Sequence, residues 1–269
     1  MEYLYRYLRF RKVGKRLKDW KDKRLERIFS HSELYFSSPT DFNDPFDCKM
    51  DFTFEGSDDN DYRKWFEGKL KQDSPNLSEG EIKQKVDDLL KEGFHKTDEW
   101  RMHHRRMYLE LFGKEAAPLG MLCLSEKPDD ILMWSHYADG HTGFCLEFDK
   151  VGLKEFWGFC EPVEYRKPFL NFKEIVDKAV SLKIDKFLLS KSEHWVYEKE
   201  WRVIVSCENP ANRFQKFPDH LLKGVILGCQ MPKTNRDLIH SWIQNRKIPL
   251  QLYQSCKMEN EYGLKIEKC

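Results

Sequence analysis

Short apolar or alternating runs punctuate the chain at residues 3–8, 33–38, 120–124, 143–148, 162–165, 200–207 and 224–228, with a last one at 249–254 before a polar C-terminus. Runs of this length, bounded by Gly, Pro, Asn and Asp, predict β-strands. Between the first two, Val13, Leu17, Trp20, Leu25, Ile28 and Phe29 recur at roughly helical spacing. Residues 57–112 change character and become charged and helical. Ser78 stands three residues before Glu81, the spacing of a capping box, and Ile82, Val86, Leu89 and Leu90 form an apolar stripe. Pro75 and Asn76 mark a break between two helices, and further helices are expected at 171–189 and 233–245. The pattern predicts an α+β fold: a split, mostly antiparallel sheet with flanking helices, in one domain spanning 1–269 with a helical insertion at about 57–112.

Composition narrows the class. The 269 residues are long enough for a sizeable core. An aromatic content of 14% argues against global disorder, and a formal net charge of +1 removes bulk electrostatics as a route to nucleic acid. Basic clusters at 9–27 and 103–106 read as solvated helix faces. The eight cysteines lie far apart with no CxxC pair, so neither a disulfide framework nor a zinc site of ordinary spacing is expected. The opening Met-Glu-Tyr-Leu-Tyr-Arg-Tyr reads as neither a signal nor a transit peptide. No apolar run approaches the ~18–20 residues of a membrane span. A reduced cytoplasmic protein with no membrane partner is the expectation.

Four stretches carry candidate chemistry. Arg6, flanked by Tyr5 in the opening strand, is either an anchor for an anionic ligand or part of an exposed edge. Ser37, Ser38 and Asn43 belong to an elaborate loop, mostly turn-forming, that presents hydroxyl and amide groups. Residues 133–143 gather Trp134, Ser135, His136, Tyr137 and His141 in what reads as a loop before an apolar strand. Polar groups among aromatics at a strand edge are the composition of a ligand pocket. No Gly-x-Ser-x-Gly elbow accompanies Ser135, and the two histidines lack a third metal ligand other than Asp139, so no metal residues are assigned. In residues 195–205, Glu198, Glu200 and Arg202 share a face if all three lie on a strand. They form either an ion pair or a catalytic carboxylate held by an arginine, and the flanking Trp195, Tyr197 and Trp201 favour the second.

Taken together, Leu-Tyr-Arg-Tyr, Leu-Tyr-Phe-Ser-Ser-Pro-Thr-Asp-Phe-Asn-Asp-Pro-Phe-Asp, Met-Trp-Ser-His-Tyr-Ala-Asp-Gly-His-Thr-Gly and Tyr-Glu-Lys-Glu-Trp-Arg resemble a widespread bacterial and phage-associated family of unknown function. The order of strands, from Tyr-Arg-Tyr through Leu-Tyr-Phe-Ser-Ser to a late Glu-x-Glu, is also similar to the ADP-ribosyltransferase superfamily. That resemblance implies a split sheet that binds NAD as co-substrate. It implies that Arg6 holds the pyrophosphate or nicotinamide-ribose region, that Tyr137 or His136 stacks on nicotinamide, and that Glu200 or Glu198 stabilises the ribosyl cation. The chain would then be a toxin or defence effector with a macromolecular acceptor. Two alternatives stay open: a non-enzymatic module sensing a nucleotide or other anionic small molecule, and a metal-dependent nuclease.

Overall fold

The computed structural model describes residues 2–10, 21–49, 51–175, 183–207, 209 and 211–269. The expected helical positions Val13, Leu17 and Trp20, and the middle of the helix expected over 171–189, lie outside them. In chain order, β1 (Tyr3–Leu8), α1 (Lys21–Ser30), β2 (Glu33–Tyr35) and β3 (Phe52–Thr53) precede three long helices. These are α2 (Asp59–Asp73), α3 (Glu79–Glu92) and α4 (Asp98–Ala116). Next come β4 (Leu119–Ser125), α5 (Ile131–Tyr137), β5 (Phe144–Asp149) and α6 (Lys150–Trp157). Short elements follow: β6 (Cys160–Pro162), β7 (Glu164–Arg166), β8 (Leu170–Asn171), α7 (Phe172–Ile175), α8 (Ile184–Leu188) and β9 (Ser190–Ser192). The chain closes with β10 (Glu200–Ser206), β11 (Phe214–Lys216), β12 (Leu222–Leu227), α9 (Lys233–Gln244), β13 (Gln251–Lys257) and β14 (Leu264–Lys268).

The architecture is α+β with a mostly antiparallel sheet, and the chain divides into two compact units. The first comprises Met1–Ser37, Gly120–Val163 and His194–Cys269; the second comprises Ser38–Leu119 and Glu164–Glu193.

The first unit holds an eight-stranded sheet in the order β14-β13-β12-β5-β1-β4-β10-β6. Its pairings include β1 with β5, β5 with β12 and β13 with β14, all antiparallel, and a parallel pair between β12 and β13. Successive strand residues face opposite sides, and the two sides carry separate cores. On one side Leu4, Leu124, Leu146, Val203 and Val225 pack with α1, α6 and α9 through Ile28, Leu153 and Trp242. On the other, Tyr7, Cys145, Ile226 and Leu264 pack with Met133, Trp134 and Ala138 of the α5 region. The polar C-terminus expected after residue 254 is instead the edge strand β14, paired with β13 from Tyr253↔Lys268 to Lys257↔Leu264. Its alternation is hidden because Lys265, Glu267 and Lys268 occupy exposed positions of an edge.

The second unit is the helical stretch together with residues 164–193. Helix α3 starts at the expected capping box, with Ser78 and Glu81 bonding each other's backbone N–H, and ends at left-handed Gly93. An aromatic core of Phe52, Tyr62, Trp65, Trp100, Tyr108 and Phe172 ties α2 and α4 to β3 and α7, and Trp65 Nε1 donates to the Tyr108 hydroxyl at 2.8 Å.

Candidate functional site

Residues 131–137 form a helix, where the sequence pattern suggested a loop. Asp130 caps it, accepting from the N–H groups of Leu132 and Met133. The chain then turns through three consecutive left-handed residues, Asp139 (φ 49°), Gly140 (φ 61°) and His141 (φ 68°). Left-handed backbone at Asp and His is uncommon and stores strain of order 1–3 kcal/mol per residue. The turn persists because it is bonded from both sides: Gly140 N–H donates to Ser135 O, His141 N–H to Trp134 O, and Gly143 N–H to Ala138 O at 2.8 Å. At Gly143 a Cβ would collide with the Leu8 carbonyl, so only glycine lets this turn close against β1.

Half of the aromatic-histidine stretch is thereby accounted for by folding. Trp134 is 0% exposed, its Nε1 donates to Pro128 O at 2.8 Å, and its ring meets Tyr7 edge-on at 5.2 Å. It is a core residue and presents no face to a ligand. His141 stacks on Trp134, its rings 9° from parallel. Ser135 Oγ donates to Ile131 O at 2.8 Å, so the 3.3 Å contact with His141 Nε2 leaves the hydroxyl as acceptor. His141 Nδ1 is buried and, among the described residues, has no hydrogen-bond partner, and burial, reinforced by Lys257, holds the ring below the ordinary histidine range. A serine whose proton points to a carbonyl, beside an imidazole oriented by no acid, is not a nucleophile–base pair.

The other half faces outward. His136 lies on the exposed side of α5, with ring centroids 6.4 Å from Trp195 and 6.3 Å from Tyr197, which are themselves 6.0 Å apart. Next to it, Tyr137 donates its hydroxyl to Glu198 Oε1 at 2.5 Å. That is the length of a charge-assisted O–H···O⁻ bond. Glu198 is 3% exposed, and its carbonyl accepts from Ser125 Oγ at 2.6 Å. The site is therefore a buried carboxylate gripped by a phenol, with three half-open rings beside it.

The two glutamates do not share a strand face. Residues 193–198 form a 3₁₀ turn, Lys199 is left-handed (φ 44°), and β10 begins only at Glu200. Glu200 is 4% exposed and meets the fully buried Arg202 in a two-pronged pair, Nε to Oε1 at 2.8 Å and Nη2 to Oε2 at 3.0 Å. Both carboxylate oxygens of Glu200 are engaged by its own strand neighbour, which makes the ion-pair alternative the observed one. Arg202 binds Glu200 through two of its three nitrogens. Neither has the geometry of a ligand-facing group, and the candidate carboxylate is Glu198.

Arg6 belongs to β1. It stands opposite Leu146 in the β1–β5 register and alternates with Tyr5 and Tyr7, so it starts from the Leu4 side of the sheet. Glu200 and Arg202 alternate with Val203, a member of that same Leu4 core, and so start from the other side. The Arg6 Nη1 donates to the Cys123 carbonyl at 2.6 Å. The Arg6 charge nonetheless reaches the Cys123 thiol, which also feels the charges of Glu200 and Arg202. Tyr5 is on the site's face but bonds a different carboxylate, donating to Glu147 Oε2 at 3.3 Å. Ser37 is absorbed into the sheet through reciprocal backbone bonds with Met121. Ser38 and Asn43 belong to the second unit, where the Ser38 and Thr40 hydroxyls lie 2.8 Å apart and Asn43 is exposed.

Sequence reasoning passed over Glu147, which is 8% exposed in the middle of the sheet. The available signal was a carboxylate alternating in phase with buried Cys145. It also passed over the ion pair of Lys191 with Asp47 in the second unit, at 3.4 Å and almost wholly buried. Among the described residues no three His, Cys, Asp or Glu side chains converge as metal ligands, and no helix is long and apolar enough to cross a membrane.

Residues 133–203 match the profile of a family described as "Protein of unknown function (DUF2971)", which agrees over that span with the resemblance to a family of unknown function. No curated protein and no solved structure matches the chain. The matched span begins on α5 and runs into β10, so it contains both members of the Tyr137–Glu198 pair.

Proposed function

We propose that the first unit cleaves the N-glycosidic bond of an NAD-like nucleotide, with Glu198 as the carboxylate that stabilises the ribosyl cation. One observation carries this reading: a glutamate 3% exposed, held at 2.5 Å by Tyr137, beside the rings of His136, Trp195 and Tyr197. A fixed negative charge in a water-poor setting acts most strongly where positive charge develops in the transition state. Aromatic faces next to it suit a flat, cationic leaving ring such as nicotinamide. An NAD substrate supplies a bond activated by its pyridinium leaving group, which departs as neutral nicotinamide; Tyr137 orients the carboxylate, and His136, Trp195 and Tyr197 supply stacking surface.

The donor set differs from the ADP-ribosyltransferase pattern at two points. Glu200 is committed to Arg202, and Arg6 donates to the Cys123 carbonyl. Anchoring of a pyrophosphate is therefore not assigned to Arg6. The charge of the site also weighs against a sensor of simple anions, because its buried, ligand-adjacent group is itself a carboxylate.

The test is a titration of the full chain with NAD, following fluorescence of wild type and of Trp195→Leu. The reading expects a saturable quench that the variant lacks. No saturable change in wild type, together with no consumption of NAD on prolonged incubation, overturns it.

A further inference from the structure

The loop that leads into α5 and the turn between β13 and β14 line one open cavity of about 410 Å³, and both belong to the first unit. Ile131 and Leu132 come from the first element, Met258 and Tyr262 from the second, and all four are exposed. Beneath them lies Leu264, a buried member of the core that also holds Met133. The turn has a fixed form. Met258 N–H donates to Gly263 O at 3.0 Å, and the Met258 sulfur lies so close over Gly263 that a Cβ there would stand 2.6 Å from it.

Folding does not call for these four side chains. Helix α5 buries Met133 and Trp134, while Ile131, Leu132, Ser135 and His136 remain exposed. Polar residues at 131 and 132 would serve that outward side equally well. Apolar side chains gathered from two separate elements around one cavity mark a contact surface, unlike single apolar residues scattered over a surface. Its volume falls in the range of roughly 300–1,000 Å³ that suits a bound ligand or the anchoring side chains of a partner. The lining is also acidic, with Asp129, Asp130 and Glu261 set against Lys127 alone. Because the whole chain carries a formal net charge of +1, this negative charge is a local property.

We infer that this cavity docks a segment of a partner protein in which Lys or Arg alternates with apolar residues. Protein interfaces pair an apolar centre, rich in Met and Tyr, with a polar rim, and that is the composition found here. The carboxylates repel nucleic acid and anionic lipid, and they attract a basic chain. A small free amine would meet the carboxylates but leave Leu132 and Tyr262 uncovered. A purely apolar segment would cover those two and desolvate the carboxylates without compensation. Only a segment with both kinds of side chain satisfies both. The cavity takes one end of α5 and the Tyr137–Glu198 site the other, about 10 Å along the helix. None of the lining residues belongs to that site, so the inference does not rest on the reading given to Glu198.

The experiment follows the fluorescence anisotropy of a short labelled peptide of alternating leucine and lysine as the full chain is added. Glycine–lysine and leucine–glutamate peptides of the same length serve as counterparts. Two double variants, Asp129→Lys with Glu261→Lys and Leu132→Ser with Tyr262→Ser, change only exposed side chains, so both should keep the wild-type circular dichroism. Asp130 is left in place because it caps α5. Saturable binding of the leucine–lysine peptide is expected, weakened about tenfold or more in each variant, with no saturation by either counterpart. Absence of saturation in wild type, or unchanged binding in either variant, overturns the inference. Equal binding of the glycine–lysine peptide would reduce the effect to charge, and equal binding of the leucine–glutamate peptide would reduce it to apolar contact; each overturns it. Wild type that sediments as a dimer, with the Leu132→Ser, Tyr262→Ser variant a monomer, would give the surface to a second copy and overturn it as well.

Discussion

Tyr137 and Glu198, 61 residues apart in sequence, meet through a 2.5 Å hydrogen bond that joins the end of α5 to the turn before β10. The bond does two things at once. It orients a carboxylate that is almost wholly withdrawn from water, and it fixes Tyr137 beside the His136 ring, 6.2 Å away. A hydrogen bond to a charged group contributes about 1.5–3 kcal/mol. Tyr137→Phe keeps the ring and removes the bond, so nicotinamide release from NAD should slow by about ten- to a hundredfold in kcat/KM. A Tyr137→Phe enzyme as fast as wild type would show that the bond does not position the reacting carboxylate.

Glu200→Gln probes a different role. The substitution removes the Glu200 carboxylate from its two-pronged pair with the fully buried Arg202 guanidinium. Breaking one side of a buried pair costs about 3–5 kcal/mol. Urea unfolding should show a loss of that size. A loss below about 1 kcal/mol would mean that the pair is not the structural tie described here.

Gly143→Ala should be severe for a purely steric reason. The added methyl collides with the Leu8 carbonyl and sits 3.0 Å from the Ala138 carbonyl, both of them backbone. Overpacking against atoms that cannot rotate away costs about 1–3 kcal/mol or more. A calorimetric scan of the variant should show a clearly lowered Tm, whereas Gly140→Ala, with open space around its Cβ but a left-handed backbone, should cost less.

Glu147 sets a pH dependence of stability. Burial raises its carboxyl in the folded state, and Glu2 raises it further against the lowering effect of the Tyr5 hydroxyl; Tyr3 and Tyr253 complete the surroundings. The folded chain then holds this proton more tightly than the unfolded chain. Its contribution is fully present below the ordinary carboxylate range and is lost as pH rises through the raised value. Glu147→Gln removes that slope, so the variant should gain stability over wild type as pH rises across this window. Urea midpoints measured from pH 4 to pH 8 that run parallel for the two proteins would contradict the assignment.

Much of the fold was legible because it rests on local pattern. The capping box at Ser78–Glu81, the breaks at Pro75 and Asn76, and the alternation in β1, β4, β5 and β12 all appear where sequence period places them. The site was less legible because its geometry comes from backbone that breaks period. Helix α5 has only seven residues, too few for a periodic signal. The run of left-handed residues at 139–141 and the left-handed Lys199 are set by tertiary hydrogen bonds rather than by composition, since only Gly140 announces one of them. Lys199 in particular separates two glutamates that a continuous strand would have aligned. Trp134 and Glu200 were visible as residues, yet their burial and bonding turned both from ligand-facing groups into structural ones.

Release of nicotinamide from NAD by wild type and Glu198→Gln decides whether Glu198 is the reacting carboxylate. With circular dichroism confirming that both chains are folded, measurable release by wild type and a loss of at least a hundredfold in the variant are expected. No release by wild type, or equal release by the two, would contradict that role.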